Sequence, residues 1–141
     1  MPEVINNQRK IKLDRAAFTH FADLLLPAVA EAWGRTFAVA FISDARMKEL
    51  NGAFRGKNTT TDVLSFPFEP DEFDPENDRL GDIAVSVEQA QKQAVENGLD
   101  LETEIKQLIL HGVLHLCGYD HETDNGEMNA RELELRETLG I

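Results

Sequence analysis

Leu108 to Asp124 reads LILHGVLHLCGYDHETD. His111 and His115 are four residues apart, so on a helix they lie about 40° apart around the axis and about 6 Å along it. Two imidazoles placed this way converge on one point, which suits a tetrahedral metal. Gly118 follows His115 by three residues, where a glycine can take a positive φ and end the helix. The chain can then turn back and bring His121 in as a third ligand. Three neutral imidazoles leave a fourth position for water, as in a catalytic zinc site and unlike a closed structural one. Three of the four histidines of the chain lie between His111 and His121. Cys117 is set aside as a ligand because, two residues past His115, it points about 200° away on the helix. It is read as a core thiol, and His20 as structural. Asp120 and Asp124 are read as solvated loop acids that can at most orient a ligand imidazole.

Outward from this segment, Asp100 caps the helix that carries the histidines, and a last amphipathic helix is expected from about Glu122 to Leu139. Before it, Ser86 and Gln89 resemble a capping box that opens a helix closed by Gly98. Thr36 to Ile42 (TFAVAFI) reads as a buried strand, and Asp62 to Phe68 and Asp82 to Val87 as two more. Val4 and Ile5 suggest a short opening strand. A helix is expected from Arg15 to about Trp33, with Phe18, Phe21, Ala22, Leu25, Val29 and Trp33 on its apolar face and Pro27 kinking or breaking it. Ser43 or Asp44 caps a short helix through about Phe54, and Arg55 to Thr61 is a polar loop. Glu69 to Arg79 is acidic, holds Pro70 and Pro75, and reads as a mobile loop. The expected fold is α/β or α+β, one layer of sheet flanked by helices, with residues 1–141 forming one domain.

The chain has 141 residues, 42% of them hydrophobic and 28% charged, values of an ordinary globular domain. A single cysteine excludes an internal disulfide and fits a reducing compartment. The apolar run Phe21 to Trp33 is interrupted and too short to span a bilayer, so a soluble, cytoplasmic protein with no membrane partner is expected. The net charge of −12 argues against general nucleic-acid binding, because phosphate affinity comes largely from Lys and Arg. The balance reverses between Arg46 and Lys57, where Lys48 and Arg55 also lie, against the single acid Glu49. A nucleic-acid partner therefore needs a local basic site.

HxxxHxxGxxH is also the spacing of metzincin peptidases, but those place Glu directly after the first histidine as general base. Here that position is Gly112, which cannot exchange a proton, so a zinc peptidase is disfavoured. HGVLHLCGYDH resembles instead the signature of the YbeY family of bacterial metal-dependent endoribonucleases. LNGAFRGKNTTTDVLSFPF (Leu50 to Phe68) and LGDIAVS (Leu80 to Ser86) resemble the same family, in the same order and at matching separations. The likeness covers about Val39 to Leu139. Thr60 stands where that family often has proline, and Cys117 where leucine is usual.

The resemblance implies a mixed four-stranded sheet with about five helices and one Zn²⁺ per chain, held by His111, His115 and His121. It implies single-strand-specific endoribonuclease activity in 16S ribosomal RNA 3′-end maturation and ribosome quality control. Arg55 corresponds to the functionally important arginine of the FRGK block. A guanidinium there can stabilise a charge-gathering phosphorane by bidentate hydrogen bonds, whereas Lys57, a compact point charge, is a candidate for the RNA backbone. Attack by metal-activated water and by the RNA 2′-hydroxyl both remain open, and Asp62, Asp82 and Asp120 are the candidate general bases. Phe66 and Phe68 can stack bases, although alternating aromatics in a strand more often belong to a core. A non-enzymatic ribosome-assembly factor with a structural metal is the third reading. The acidic surface suggests that a ribosome-associated protein partner supplements RNA affinity.

Overall fold

The run TFAVAFI takes the middle of the sheet, as a strand covered on both faces reads as nearly continuous apolar sequence. The computed structural model of the chain describes residues 2–69 and 78–141. In chain order its elements are β1 (Glu3–Asn6), α1 (Arg15–Ala28), β2 (Thr36–Ile42), α2 (Asp44–Arg55), β3 (Val63–Pro67), β4 (Arg79–Ser86), α3 (Val87–Asn97), α4 (Leu101–Leu116) and α5 (Glu127–Leu139). The strands form one sheet in the order β1-β2-β4-β3. β1, β2 and β4 run parallel, with Ala40 opposite Ala84, and β3 lies antiparallel on the edge, with Ser65 opposite Ile83. The mixed four-stranded sheet and five helices are those expected.

The two faces of the sheet differ in depth. Phe37, Val39 and Phe41 of β2 and Ile83 and Val85 of β4 belong to the main core, with Phe18 and Leu25 of α1 and Ile105, Ile109 and Val113 of α4. The alternate residues, Ala40, Ile42 and Ala84, meet Met47 and Leu50 of α2 in a thinner core. Phe18 meets Phe41 edge to face, with ring centroids 5.0 Å apart. Each such fully buried side chain contributes about 1.5–3 kcal/mol relative to exposure. The thick layer seats α4 across the sheet and so places its C-terminal turn near β3.

The first helix is shorter than its apolar periodicity suggests. Pro27 lacks the N–H that continues the ladder; α1 ends at Ala28 and a 3₁₀ turn, Ala30–Ala32, follows. Trp33 then adopts a left-handed φ of 56° and is 85% exposed, so it is not part of the core. Asp14 precedes α1 without a side-chain capping bond. β4 begins at Arg79, three residues earlier than expected. α5 begins at Glu127 and not Glu122: Asp124 accepts from the backbone N–H groups of Gly126 (2.9 Å) and Met128 (3.0 Å), and so fixes the later start. Ser86 caps α3 through the Gln89 N–H, although the Gln89 side chain reaches to Asp44. The acidic segment read as a mobile loop falls largely on residues 70–77, outside the described residues. No helix among the described residues is long and apolar enough to cross a membrane.

Candidate metal centre

α4 starts where Asp100 accepts the Thr103 N–H at 2.7 Å and ends in two bonds that reverse the chain. Tyr119 N–H donates to the Leu114 carbonyl and Gly118 N–H to that of His115, the Schellman pattern, with Gly118 at φ 102° as its left-handed residue. The reversal carries His121 back toward the helix. It is braced from outside: Tyr119 donates its hydroxyl to Glu31 at 2.7 Å, and the Arg131 guanidinium grips the same carboxylate at 2.8 and 3.0 Å. Asp120 turns inward on its own loop, accepting the Glu122 N–H at 3.0 Å.

The three imidazoles meet as their spacing suggests. Their candidate ligand nitrogens all lie within 4.8 Å of one another. Ring centroids are 4.7 Å (His111–His115), 5.5 Å (His111–His121) and 5.4 Å (His115–His121) apart. Tetrahedral zinc with bonds of about 2.0–2.1 Å needs nitrogens about 3.3 Å apart, so small side-chain rotations close the set around an ion. Burial lowers the pKa of His115, assisted by the neighbouring charges of His111 and His121. The ring is thereby biased to the neutral form that binds a metal.

A fourth residue was not anticipated from the sequence. Glu132 of α5, 7% exposed, faces His111, with Oε1 2.8 Å from Nδ1. With Nδ1–H donated to the carboxylate, Nε2 carries the lone pair toward the cluster, the carboxylate–histidine–metal relation. Glu132 Oε2 accepts from Arg136 at 3.0 Å. Burial opposes ionisation of Glu132, but the His111 hydrogen bond and charge, with Arg136, hold its pKa below the usual value. The sequence carries no periodic signal for this pair, because their elements are separated by the whole His121 turn.

The histidines open into a cleft of about 760 Å³ whose walls include Arg55, Lys57, Asp62, Ser65, Asp120 and all three rings. Arg55 ends α2 and Lys57 follows its left-handed Gly56 cap. The loop beyond is tied down twice. Asn51 donates to the Thr59 carbonyl at 2.8 Å, and the Thr60 hydroxyl donates to Asp44, whose carboxylate also accepts from Ser86 and Gln89. At position 60 the hydroxyl therefore anchors the loop in place of a stiff proline ring. Ser65 of β3 donates to the Gly112 carbonyl at 3.1 Å and joins the cleft's strand wall to its helix wall.

Other candidates lie elsewhere. Asp82 is exposed beside Arg79 at 3.9 Å and does not line the cleft, and the Asp124 carboxylate is taken by the Gly126 and Met128 N–H groups at the start of α5. Phe66 packs edge to face on Phe54, and Phe68 lies beneath the Arg79 guanidinium. His20 is exposed on α1 and apart from the cluster. Cys117 packs against the main core, and burial, reinforced by Glu31, pushes its thiol up to about 11. It is a protonated core thiol, as expected.

Gly112 explains why no acid follows His111. A Cβ there would stand 2.9 Å from Ile83 Cγ2, so the position faces the sheet and not the cleft. A glutamate at 112 would enter the core.

The family described as Endoribonuclease YbeY matches residues 3–140. A relative of that name from Helicobacter pylori (strain Shi470) is 39% identical over 137 residues, 97% of this chain and 91% of its own. Another from Solibacter usitatus is 43% identical over 129 residues, 92% and 82% of the two chains. A third from Nautilia profundicola is 51% identical over 98 residues, 70% and 68%. The solution structure of a Thermotoga maritima protein superposes with a TM-score of 0.67 at 28% identity, covering 99% of this chain and 89% of that one. With a match running from the first strand to the end of the last helix, the chain belongs to the Endoribonuclease YbeY family.

Proposed function

We propose that this chain is a metal-dependent endoribonuclease that cleaves single-stranded RNA, with one Zn²⁺ held by His111, His115 and His121. The observation that carries the reading is the convergence of the three imidazoles in a cleft that also presents Arg55 and Lys57. Bound by three neutral imidazoles, zinc supplies Lewis acidity and lowers the pKa of activated water toward roughly 7. The remaining work falls to side chains. Glu132 fixes the His111 tautomer and ring plane. Arg55 offers paired N–H donors to the phosphoryl oxygens, where negative charge gathers in either mode of attack. Lys57 holds a neighbouring phosphate as a point charge. Asp62 and Asp120 remain as candidate bases in the cleft wall, whereas Asp82 does not line the cleft.

The substrate we infer is small-subunit ribosomal RNA, in 3′-end maturation and ribosome quality control in the cytoplasm. Residues 1–141 act as one domain in this reading, and a ribosome-associated protein partner aids recruitment. Support comes from the endoribonuclease name of the relatives and from the two cations, Arg55 and Lys57, that an acidic chain presents in this cleft. The peptidase alternative loses ground, because position 112 faces Ile83 of the sheet and not the cleft.

The test pairs metal content by plasma mass spectrometry with cleavage of an unstructured RNA. Wild type is expected to carry about one zinc per chain and to cut in a chelator-sensitive manner. His115→Ala should lose metal and cleavage together, with circular dichroism confirming the fold. Arg55→Ala should keep its zinc and lose at least about tenfold in rate, near the effect of removing one transition-state donor. Full cleavage by chelated protein would refute the metal reading. A folded, zinc-loaded wild type without cleavage would leave the structural-metal assembly factor.

A further inference from the structure

Past His111 the cleft continues into a second cavity of about 500 Å³ between α3, α4 and α5. Asp62 and His111 belong to the walls of both cavities. The inner walls are polar: Glu104 and Gln107 from α4, Asn97 from α3, and Arg136 from α5. Glu104 is 4% exposed, unusual for a carboxylate. Its oxygens accept from the Asn97 amide at 3.3 and 3.2 Å, its one hydrogen-bond partner among the described residues. A carboxylate offers about four acceptor positions, so acceptor capacity is left over. Across the cavity, Arg136 Nε is buried without a hydrogen-bond partner, although its terminal nitrogen holds Glu132.

We propose that this second cavity is a subsite for a guanine base of the RNA, read on its Watson–Crick edge by Glu104. The choice of an RNA ligand rests on the ribonuclease reading. The choice of base rests on chemistry. Glu104 has no ion-pair partner among the described residues and disfavours a phosphate beside it, so the cavity admits the neutral ring while the phosphate stays with Arg55 and Lys57 in the outer cleft. A buried carboxylate wants donors in pairs. Guanine presents N1–H and N2–H side by side, whereas adenine and cytosine each offer one amino group and uracil one imide N–H. The guanine O6 acceptor then meets the donors of Gln107 or Arg136. Glu104 precedes His111 by two helical turns, about 10 Å along α4, so one nucleotide bridges base subsite and metal centre.

Two measurements test this on the full chain. In the first, 5′-GMP, AMP, CMP and UMP are titrated at equal concentration while backbone amide NMR signals are followed. GMP alone should move those of Asn97, Glu104 and Gln107. Equal response to all four overturns the subsite whether or not the protein cuts RNA. In the second, unstructured oligonucleotides differing at one position next to the scissile bond are compared by kcat/KM. Guanine should be preferred by about tenfold or more, the weight of the one hydrogen bond to a charged acceptor that it makes beyond the other bases. Glu104→Gln, nearly isosteric, should bring that ratio close to one. A ratio unchanged by Glu104→Gln refutes the assignment, and if the variant does not fold, the wild-type GMP titration decides alone. A GMP-selective protein that cuts no oligonucleotide keeps the guanine subsite and removes the ribonuclease reading.

Discussion

Replacing Gly112 by alanine sets two effects against each other. Alanine is the better helix former by about 0.8–1.0 kcal/mol at an interior position, and Gly112 lies well inside α4. Its new methyl would stand 2.9 Å from Ile83 Cγ2, 3.1 Å from Cδ1 and 3.2 Å from Cγ1. Ile83 is 1% exposed, and its β-branched χ1 is stiff, so it cannot swing aside. Overpacking of this kind costs about 1–3 kcal/mol. The net expectation for Gly112→Ala is a loss of about 1 kcal/mol. It should also weaken metal binding, since α4 must rise from β4 and carry His111 and His115 with it.

The decisive comparison is made in an Ile83→Ala background, where all three obstructing atoms are gone. That variant alone costs about 2–5 kcal/mol, but in it Gly112→Ala should become stabilising by about 1 kcal/mol, as helix propensity acts unopposed. Equilibrium urea unfolding of the four proteins, with chelator present because metal binding is linked to folding, yields a coupling of about 1–3 kcal/mol. Were Gly112→Ala equally stabilising in both backgrounds, the close seating of α4 on β4 would be wrong, and with it the exclusion of a side chain at 112.

Glu132→Gln should weaken zinc affinity by about 10–100-fold at constant pH, as loss of a ligand-orienting carboxylate does; competition with a chromogenic chelator reads this, and unchanged affinity would remove Glu132 from the centre. Glu31 is held at about 2 by the Arg131 hydrogen bond, against burial. Its contribution is thus fully present above about pH 4.5 and lost as pH falls toward 2. For this partly solvated pair we expect about 1 kcal/mol, seen as a smaller acid-induced drop in urea midpoint for Glu31→Gln than for wild type, and parallel pH curves would refute it. Asp100→Ala removes the α4 cap and should cost about 0.5–2 kcal/mol by thermal unfolding; no shift in Tm would mean that the cap is idle. The salt dependence of RNA affinity should flatten by about 0.7 in log–log slope for each of Arg55→Ala and Lys57→Ala, and slopes equal to wild type would place the phosphates elsewhere.

What the sequence discloses divides along physical lines. β2 and α4 are legible because their signals are local. An unbroken apolar run marks a doubly covered strand, and Asp100, the two histidines and Gly118 mark a capped helix and its exit. Trp33 misleads because apolar periodicity continues in phase through Pro27, although the proline ends the helix and the following turn changes the direction of every later side chain. The α5 start misleads in the other direction: Glu122 and Thr123 suit a helix, but Asp124 spends its carboxylate on N–H groups further on. Glu132 belongs to a different class. Its role exists only once α5 has packed on α4, and no spacing rule connects it to His111. Arg55 stands between, since only the family resemblance lifts it from the solvated charges around it.

The same distinction between local and global bears on charge. A net −12 looks hostile to RNA, yet two of the acids that brace the centre are internally occupied. Glu31 is gripped by Arg131 and Tyr119, and Glu132 by His111 and Arg136. Each such cluster is close to neutral beyond its own contacts, and between exposed groups salt screens what remains over about 10 Å. Arg55 and Lys57 face the cleft without a carboxylate within ion-pairing distance among the described residues. The field that a phosphate meets at the centre therefore depends on where it sits in the cleft, favourable beside those two cations and unfavourable beside Asp62, Asp120 and Glu122 of the same wall, whereas the exposed acids elsewhere repel RNA outside the cleft. On this argument the acidic surface does not oppose the activity. It disfavours RNA everywhere except where Arg55 and Lys57 can take the phosphates.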